Sequence, residues 1–136
     1  MSHGWQEVDH TADVALRVWA DSLPDLFSQA ASGMLVLMGG EPEPHGPHFD
    51  RPVRLTAPDA ETLLVDWLTY ILTLMEHENA VVTRVSVSQI ENLHLSGVVS
   101  GQPALAIRTD IKAVTYHNLA IRHSFAGFET TIVLDV

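Results

Sequence analysis

Aspartates stand beside two apolar segments that lie near opposite ends of this chain. Asp13 comes directly before the run Val14–Leu16, and Asp135 directly follows the run Ile132–Leu134. An ionised carboxylate beside a buried strand is unfavourable unless a cation or hydrogen-bond donors compensate its charge. If the two runs form adjacent strands, their carboxylates predict a cation site, to which Val136 can add a carbonyl or terminal carboxylate oxygen. Ca2+ suits such a site because it accepts carboxylates, carbonyls and waters in irregular geometry.

The segment Asp9–Asp13 has a second interpretation, as an ordinary turn. Its sequence is Asp-His-Thr-Ala-Asp, and Asp and Thr side chains often hydrogen-bond nearby backbone groups in turns. The pattern alone leaves both interpretations open. His10, Asp110 and His117 are further polar residues that the pattern does not assign to a ligand set.

A histidine-based zinc site is disfavoured. The chain has eight histidines and no cysteine. His45 and His48 lie in a proline-rich stretch without a cysteine partner or the usual helical spacing of zinc ligands. His77 is expected near a helix C-terminus, where a histidine favourably meets the helix dipole.

Composition limits the classes of function. The 136 residues fit one domain, 1–136, and 17 acidic against 7 basic residues give a formal net charge of -10. Phosphate backbones are bound by clustered Lys and Arg, whereas here Lys112 is the only lysine and the arginines are scattered. Strong direct nucleic-acid binding is therefore not expected, and cations or a protein with a basic face are better partners.

Localisation and catalysis are predicted from what the sequence lacks. It has no cysteine, no secretory signal and no apolar run of the length that spans a membrane, so a cytoplasmic protein with no membrane partner is expected. It also has neither a Gly-x-Ser-x-Gly elbow nor a Gly-x-x-x-x-Gly-Lys phosphate loop. No catalytic residues or organic cofactor are assigned.

The elements that would position the aspartates follow an α+β pattern. Ser22 begins a helix with an apolar stripe that ends at Gly39-Gly40. Asp59 begins a second, more strongly apolar helix that ends at His77–Asn79. The fold class is two helices packed on a mostly antiparallel β-sheet in a single domain. The predicted strands are 5–8, 13–20, 53–55, 83–88, 93–99, 104–108, 111–117, 119–123 and 130–134, with a loop at 41–47. Gly97, Gly101, Asn118 and Gly127 are expected to interrupt the late strand-like segments.

Five stretches together resemble the archease family, in the family's order and over nearly the whole chain. Asp9–Val14 is similar to its opening signature, and Leu26–Met34 and Leu63–Leu68 resemble its two helices. Lys112–His117 is similar to its late strand motif, and Ile132–Val136 to its ending. Each motif alone is modest, but the combination is specific.

The resemblance implies an accessory, chaperone-like role rather than an enzyme. Archeases assist the RtcB-type RNA ligase, which joins RNA ends with GTP and a metal in tRNA splicing or RNA repair. They promote formation of the ligase–GMP intermediate and ligase turnover. The resemblance also implies a divalent metal, expected to be Ca2+, held by Asp13, Asp135 and Val136.

The residues are also compatible with three other functions. A metal-dependent hydrolase could use Asp13, Asp135 and a metal-activated water, with His10 or His117 as the base. A generic chaperone would capture clients on an exposed apolar patch. In the third case the metal is structural only, and its removal lowers the melting temperature without a separate effect on function.

Overall fold

The computed structural model of the protein describes residues 2–9 and 13–136, with only the backbone of Asp9. None of the helices in these ranges is long and apolar enough to cross a membrane. The elements, in chain order, are β1 (Gly4–Asp9), β2 (Val14–Ala20), α1 (Leu23–Met38), β3 (Gly40–Pro42), β4 (Phe49–Thr56), α2 (Ala60–Glu78), β5 (Ala80–Glu91), β6 (His94–Ile107), β7 (Ala113–Val114), β8 (Arg122–Ser124) and β9 (Gly127–Asp135).

The strands form two antiparallel sheets. In the five-stranded sheet β1 pairs with β2, β2 with β9, and both β7 and β8 with β9. In the four-stranded sheet β3, β4 and β5 all pair with β6. The predicted α+β class, with two helices and antiparallel strands, is confirmed. The strands are divided between two sheets rather than one, because β7, β8 and β9 join β1 and β2 in a sheet separate from that of β3 to β6.

Both helices begin and end where the sequence predicted. The Ser22 side chain accepts a hydrogen bond from the backbone N–H of Asp25, and Gly39 ends α1 in the left-handed conformation, with φ 60°. Asp59 caps α2 in the same way, and Asn79 ends it with φ 48°. The caps satisfy backbone groups that a helix end otherwise leaves without partners.

The core lies where the two helices meet the sheets. Trp67 of α2 is fully buried, and its Nε1–H donates to the main-chain carbonyl of Phe27 in α1 at 3.0 Å. This bond satisfies the one polar atom of the indole while the ring fills the space between the helices. The five-stranded sheet contributes Leu16, Val18, Ile132 and Leu134 to this core, and the four-stranded sheet contributes Val53, Val82, Leu95 and Val99.

Glycine did not interrupt the sixth strand as predicted. β6 continues through Gly101, where a Cβ atom would lie 2.4 Å from the Val81 carbonyl oxygen and 2.8 Å from the Phe49 ring. Glycine fits inside this strand because neighbouring groups approach its backbone too closely for a side chain. The loop predicted from Glu41 to Pro47 likewise begins with the last two residues of β3, which pair with β6.

The strand predicted at 111–117 is shorter than expected. Only Ala113–Val114 is a strand, although the Thr115 N–H still donates to the Val133 carbonyl at 3.0 Å. The chain then turns at His117 and Asn118, and Asn118 has a φ of 51°. A left-handed residue ends regular strand pairing, and Asn adopts this conformation more readily than most residues.

We predict that the Asp59 cap makes α2 sensitive to acid. Hydrogen bonds from Thr62, the backbone N–H first, lower the pKa of the Asp59 carboxyl below its ordinary value of 3.8. The stabilisation is therefore present above that ordinary value and lost as the pH falls through the lowered pKa. Asp59→Asn keeps a capping oxygen that does not titrate. Thermal melts from pH 7 to pH 2 should show a smaller acid loss of melting temperature for Asp59→Asn than for wild type. Equal losses would contradict the prediction.

Candidate functional site

The two predicted strands that carry the aspartates are neighbours in the five-stranded sheet. Val14 at the start of β2 pairs with Leu134 near the end of β9. Asp13 directly precedes Val14, and Asp135 directly follows Leu134. The antiparallel register therefore places the two aspartates at the same end of the strands. The condition that the sequence set for a shared carboxylate site, adjacent strands, is met.

Continuing the register of β2 and β9 by one residue opposes Asp13 and Asp135, and so brings two negative charges to the same end of the strands. Residues facing each other across antiparallel strands have Cβ atoms about 5 Å apart, and like charges there are destabilising. Asp13 and Asp135 are both only partly exposed, while Val136 is 40% exposed. Partial burial weakens the screening of the repulsion by water. The arrangement thus favours a cation or donors at this edge.

Lys112, the residue before β7, lies at the same end of the sheet. Ala113 in β7 pairs with Asp135, and the Lys112 N–H donates to the Asp135 main-chain oxygen at 2.7 Å. Sequence reasoning included Lys112 in a family motif but did not place it at the site. Its position as the only lysine, directly before a strand that could join β9, was the available signal.

The chemistry of the donor set fits a hard cation better than zinc. In residues 2–9 and 13–136, no group of three or more His, Cys, Asp or Glu side chains comes together as a metal cluster. The edge offers two carboxylates and the oxygens of Val136. Ca2+ accepts such a set with waters filling its remaining positions, whereas a structural zinc site requires four protein ligands, mostly Cys and His.

The other residues considered in the sequence lie apart from this set or outside the description. Asp110 and His117 are both exposed, and the ring Nε2 of His117 lies 3.4 Å from Nδ2 of Asn118. His45 and His48 are exposed in the loop before β4. His77 lies in the last turn of α2, as predicted. His10 falls, with residues 11 and 12, outside the described residues.

Comparison with known sequences identifies the family. Residues 5–136 match the Archease protein family (MTH1598/TM1083). The chain is 31% identical over 139 residues to protein archease of Methanopyrus kandleri, covering 97% of this chain and 99% of that protein. It is 29% identical over 140 residues to protein archease of Methanosarcina mazei, covering 97% and 95%. The chain therefore belongs to the archease family, as its five motifs predicted.

Solved structures share the fold. Protein 1598 of Methanobacterium thermoautotrophicum superposes with a TM-score of 0.74 at 24% identity, covering 98% of this chain and 99% of that one. A Thermotoga maritima archease described as a "possible chaperone" gives a TM-score of 0.70 at 20% identity, with 96% of both chains covered. These similarities support the fold of two helices with antiparallel sheets.

We predict that the carboxylates of Asp13 and Asp135 repel each other when no divalent cation is present. In chelator and low salt, Asp135→Asn should raise the free energy of unfolding by about 0.2–1 kcal/mol, because it removes one of two opposed charges. Urea unfolding measures the change, and added salt should reduce it.

A glutamate of the same strand supplies the control. Glu129 pairs with Arg17, with 2.5 Å between Oε2 and Nη2, so Glu129→Gln should leave stability unchanged or lower it by up to about 1 kcal/mol. A loss of stability in Asp135→Asn under the same conditions would contradict the repulsion.

Proposed function

We propose that this protein is an accessory activator of an RtcB-type RNA ligase, promoting ligase guanylylation and turnover in tRNA splicing or RNA repair. One observation carries the proposal most directly. Val14 in β2 pairs with Leu134 in β9, and these residues adjoin Asp13 and Asp135, the two positions that the family resemblance assigns to a metal site. Membership of the archease family supports an accessory role.

The metal of the proposed site is Ca2+, held by the carboxylates of Asp13 and Asp135 and an oxygen of Val136. When bound, the ion neutralises the two opposed charges and links the ends of β2 and β9. The partly exposed position of these residues leaves room for water ligands and for a partner protein. The acidic edge would dock beside the ligase active site and order a metal or an active-site loop there.

The overall charge supports the proposal that the protein acts by binding another protein rather than by binding RNA directly. A formal net charge of -10 repels phosphate backbones and attracts a basic protein surface such as an RNA-binding enzyme presents. An accessory protein with this charge would approach the ligase rather than compete with it for RNA.

We predict that Ca2+ raises the melting temperature through this edge. Binding to the folded state alone, at a free concentration about 100 times Kd, adds about 2.7 kcal/mol, or roughly 10 °C for a domain of this size. Differential scanning calorimetry with Ca2+ and with chelator measures the shift. Asp13→Asn and Asp135→Asn should abolish it, while Asp110→Asn, an exposed carboxylate outside the proposed ligand set, should keep it. An unchanged shift in both variants would place the metal elsewhere.

We predict that the same carboxylates are needed for ligase activation. Wild-type protein should raise the rate of guanylylation of the cognate ligase, and folded Asp13→Ala or Asp135→Ala should lose most of this effect, while Asp110→Ala keeps it. Radiolabelled GTP incorporation measures the rate.

Two results would contradict this function. Full stimulation by folded Asp135→Ala would show that the site is only structural. Absence of stimulation by wild type, with turnover of RNA or nucleotides in the absence of any ligase, would favour a hydrolase.

A further inference from the structure

A groove lies between helix α1 and the outer edge of strand β5. Among the described residues β5 pairs only with β6, so its other edge faces the helix. At one point the helix satisfies this edge, because the Val87 N–H donates to the Ser28 Oγ at 3.1 Å. Closer to the start of β5, the strand and the helix line a cavity of about 410 Å³. The helix therefore closes the edge at Val87 and leaves a groove beside the residues before it.

Apolar side chains form both walls of this groove. The α1 wall is one helical stripe, in which Leu35 and Val36 follow Ser32 at three- and four-residue spacing. Val36 is 59% exposed, although it lies in the second half of a helix that is otherwise largely buried. The β5 wall is Val81–Val85, which spans roughly 13 Å and is long enough for about four residues of an added extended chain. Extended peptides are recognised in this way, by main-chain bonds to a strand edge and by apolar contacts beside it.

A β-bulge brings a cation to the groove. The register of β5 with β6 shifts between Val82 and Arg84, and both Thr83 and Arg84 are exposed there. Bulges change the direction of side chains along a strand, and here Arg84 is one of the residues that line the cavity. A second guanidinium lies against the cavity at Gly39, where a Cβ atom would be 2.6 Å from Nε of Arg108. Arg108 also meets the negative end of the α1 dipole, so its charge is favourably held.

The charge of this groove is opposite to that of the chain as a whole. The formal net charge is -10, yet no Asp or Glu is among the described residues that line the cavity. Arg17 and Arg51 each pair with a glutamate, whereas Arg84 and Arg108 have no ion pair within the described part of the chain. The groove therefore attracts a carboxylate and repels a basic segment. Single-stranded RNA is a poorer fit, because it needs several cations and aromatic faces for its bases, and the lining has no aromatic residue.

We propose that the groove between α1 and β5 binds an extended segment of another protein that carries small apolar side chains and a carboxylate. The apolar side chains contact Val36 and Val81, the main chain of the segment faces the edge of β5, and the carboxylate pairs with Arg84. The groove belongs to the four-stranded sheet, whereas Asp13 and Asp135 lie at the end of the five-stranded sheet. The inference goes beyond the proposed function, because the two surfaces select partners of opposite charge.

Titration of the full-length 15N-labelled protein with two matched peptides tests the proposal. The first is acetyl-SEVTVES-amide, which has β-branched apolar residues and carboxylates, and the second is its charge-reversed form, acetyl-SKVTVKS-amide. The acidic peptide should shift the amide signals of Ser32–Gly39 and Val81–Val85 with a Kd below about 1 mM. The basic peptide should bind these residues about 10-fold more weakly or less, because the groove offers it no carboxylate.

Charge reversal on the protein gives the sharpest comparison. Arg84→Glu should weaken binding of the acidic peptide on the order of 10-fold and strengthen binding of the basic one. Arg54→Glu is the matched control, because Arg54 is an exposed arginine of β4 in the same sheet that does not line the groove; it should keep the wild-type preference. Val36→Ser should weaken binding of the acidic peptide several-fold by removing apolar contact. The side chains at all three positions are exposed, and the amide spectrum of each variant shows whether it is folded.

Several outcomes would overturn the inference. The groove is not a peptide site if neither peptide gives saturable shifts up to about 1 mM, or if the two peptides bind equally well and Arg84→Glu changes neither. If oligouridine shifts the same signals at lower concentration than the acidic peptide, the groove contacts RNA instead. If sedimentation shows a wild-type dimer that Val36→Ser dissociates, the groove is covered by a second copy of this chain. None of these measurements involves the ligase, so such a failure leaves the proposed function standing.

Discussion

The pairing of β2 with β9 is the interaction on which the five-stranded sheet depends. These strands lie more than 100 residues apart in the sequence, yet seven residue pairs join them, from Val14–Leu134 to Ala20–Phe128. β1, β7 and β8 join the sheet only through β2 or β9. The same register brings Asp13 and Asp135 to one end of the two strands and the β8–β9 turn to the other.

The helices and the family could be predicted from the sequence because their signals are local. Ser22 and Asp59 cap the helices, and the apolar stripes have helical spacing, so both helix bounds were predicted correctly. Strand lengths were harder to predict, because they depend on pairing with strands that are distant in the sequence. Gly101 was predicted to interrupt a strand, but it lies inside β6 because the Val81 carbonyl and the Phe49 ring approach it closely.

The candidate site was predictable only in part, because it combines local signals with a pairing of strands distant in the sequence. Two aspartates beside apolar runs suggested that the chain ends meet, but only the register of β2 with β9 brings them to one edge. Lys112 lies at this edge because Ala113 of β7 pairs with Asp135, and although the sequence predicted a strand at 111–117, it did not show which strand would be its neighbour.

The chain order of the five-stranded sheet also affects folding during protein synthesis. β6 can pair with β3, β4 and β5 as soon as residue 107 has left the ribosome. β7 and β8 have no such possibility, because β9, with which they pair, is made after both of them. β2 can pair early with β1, but its other edge also waits for β9. Until β9 emerges, their apolar residues and unpaired backbone groups are exposed to the cell, which is the condition that favours aggregation and chaperone binding.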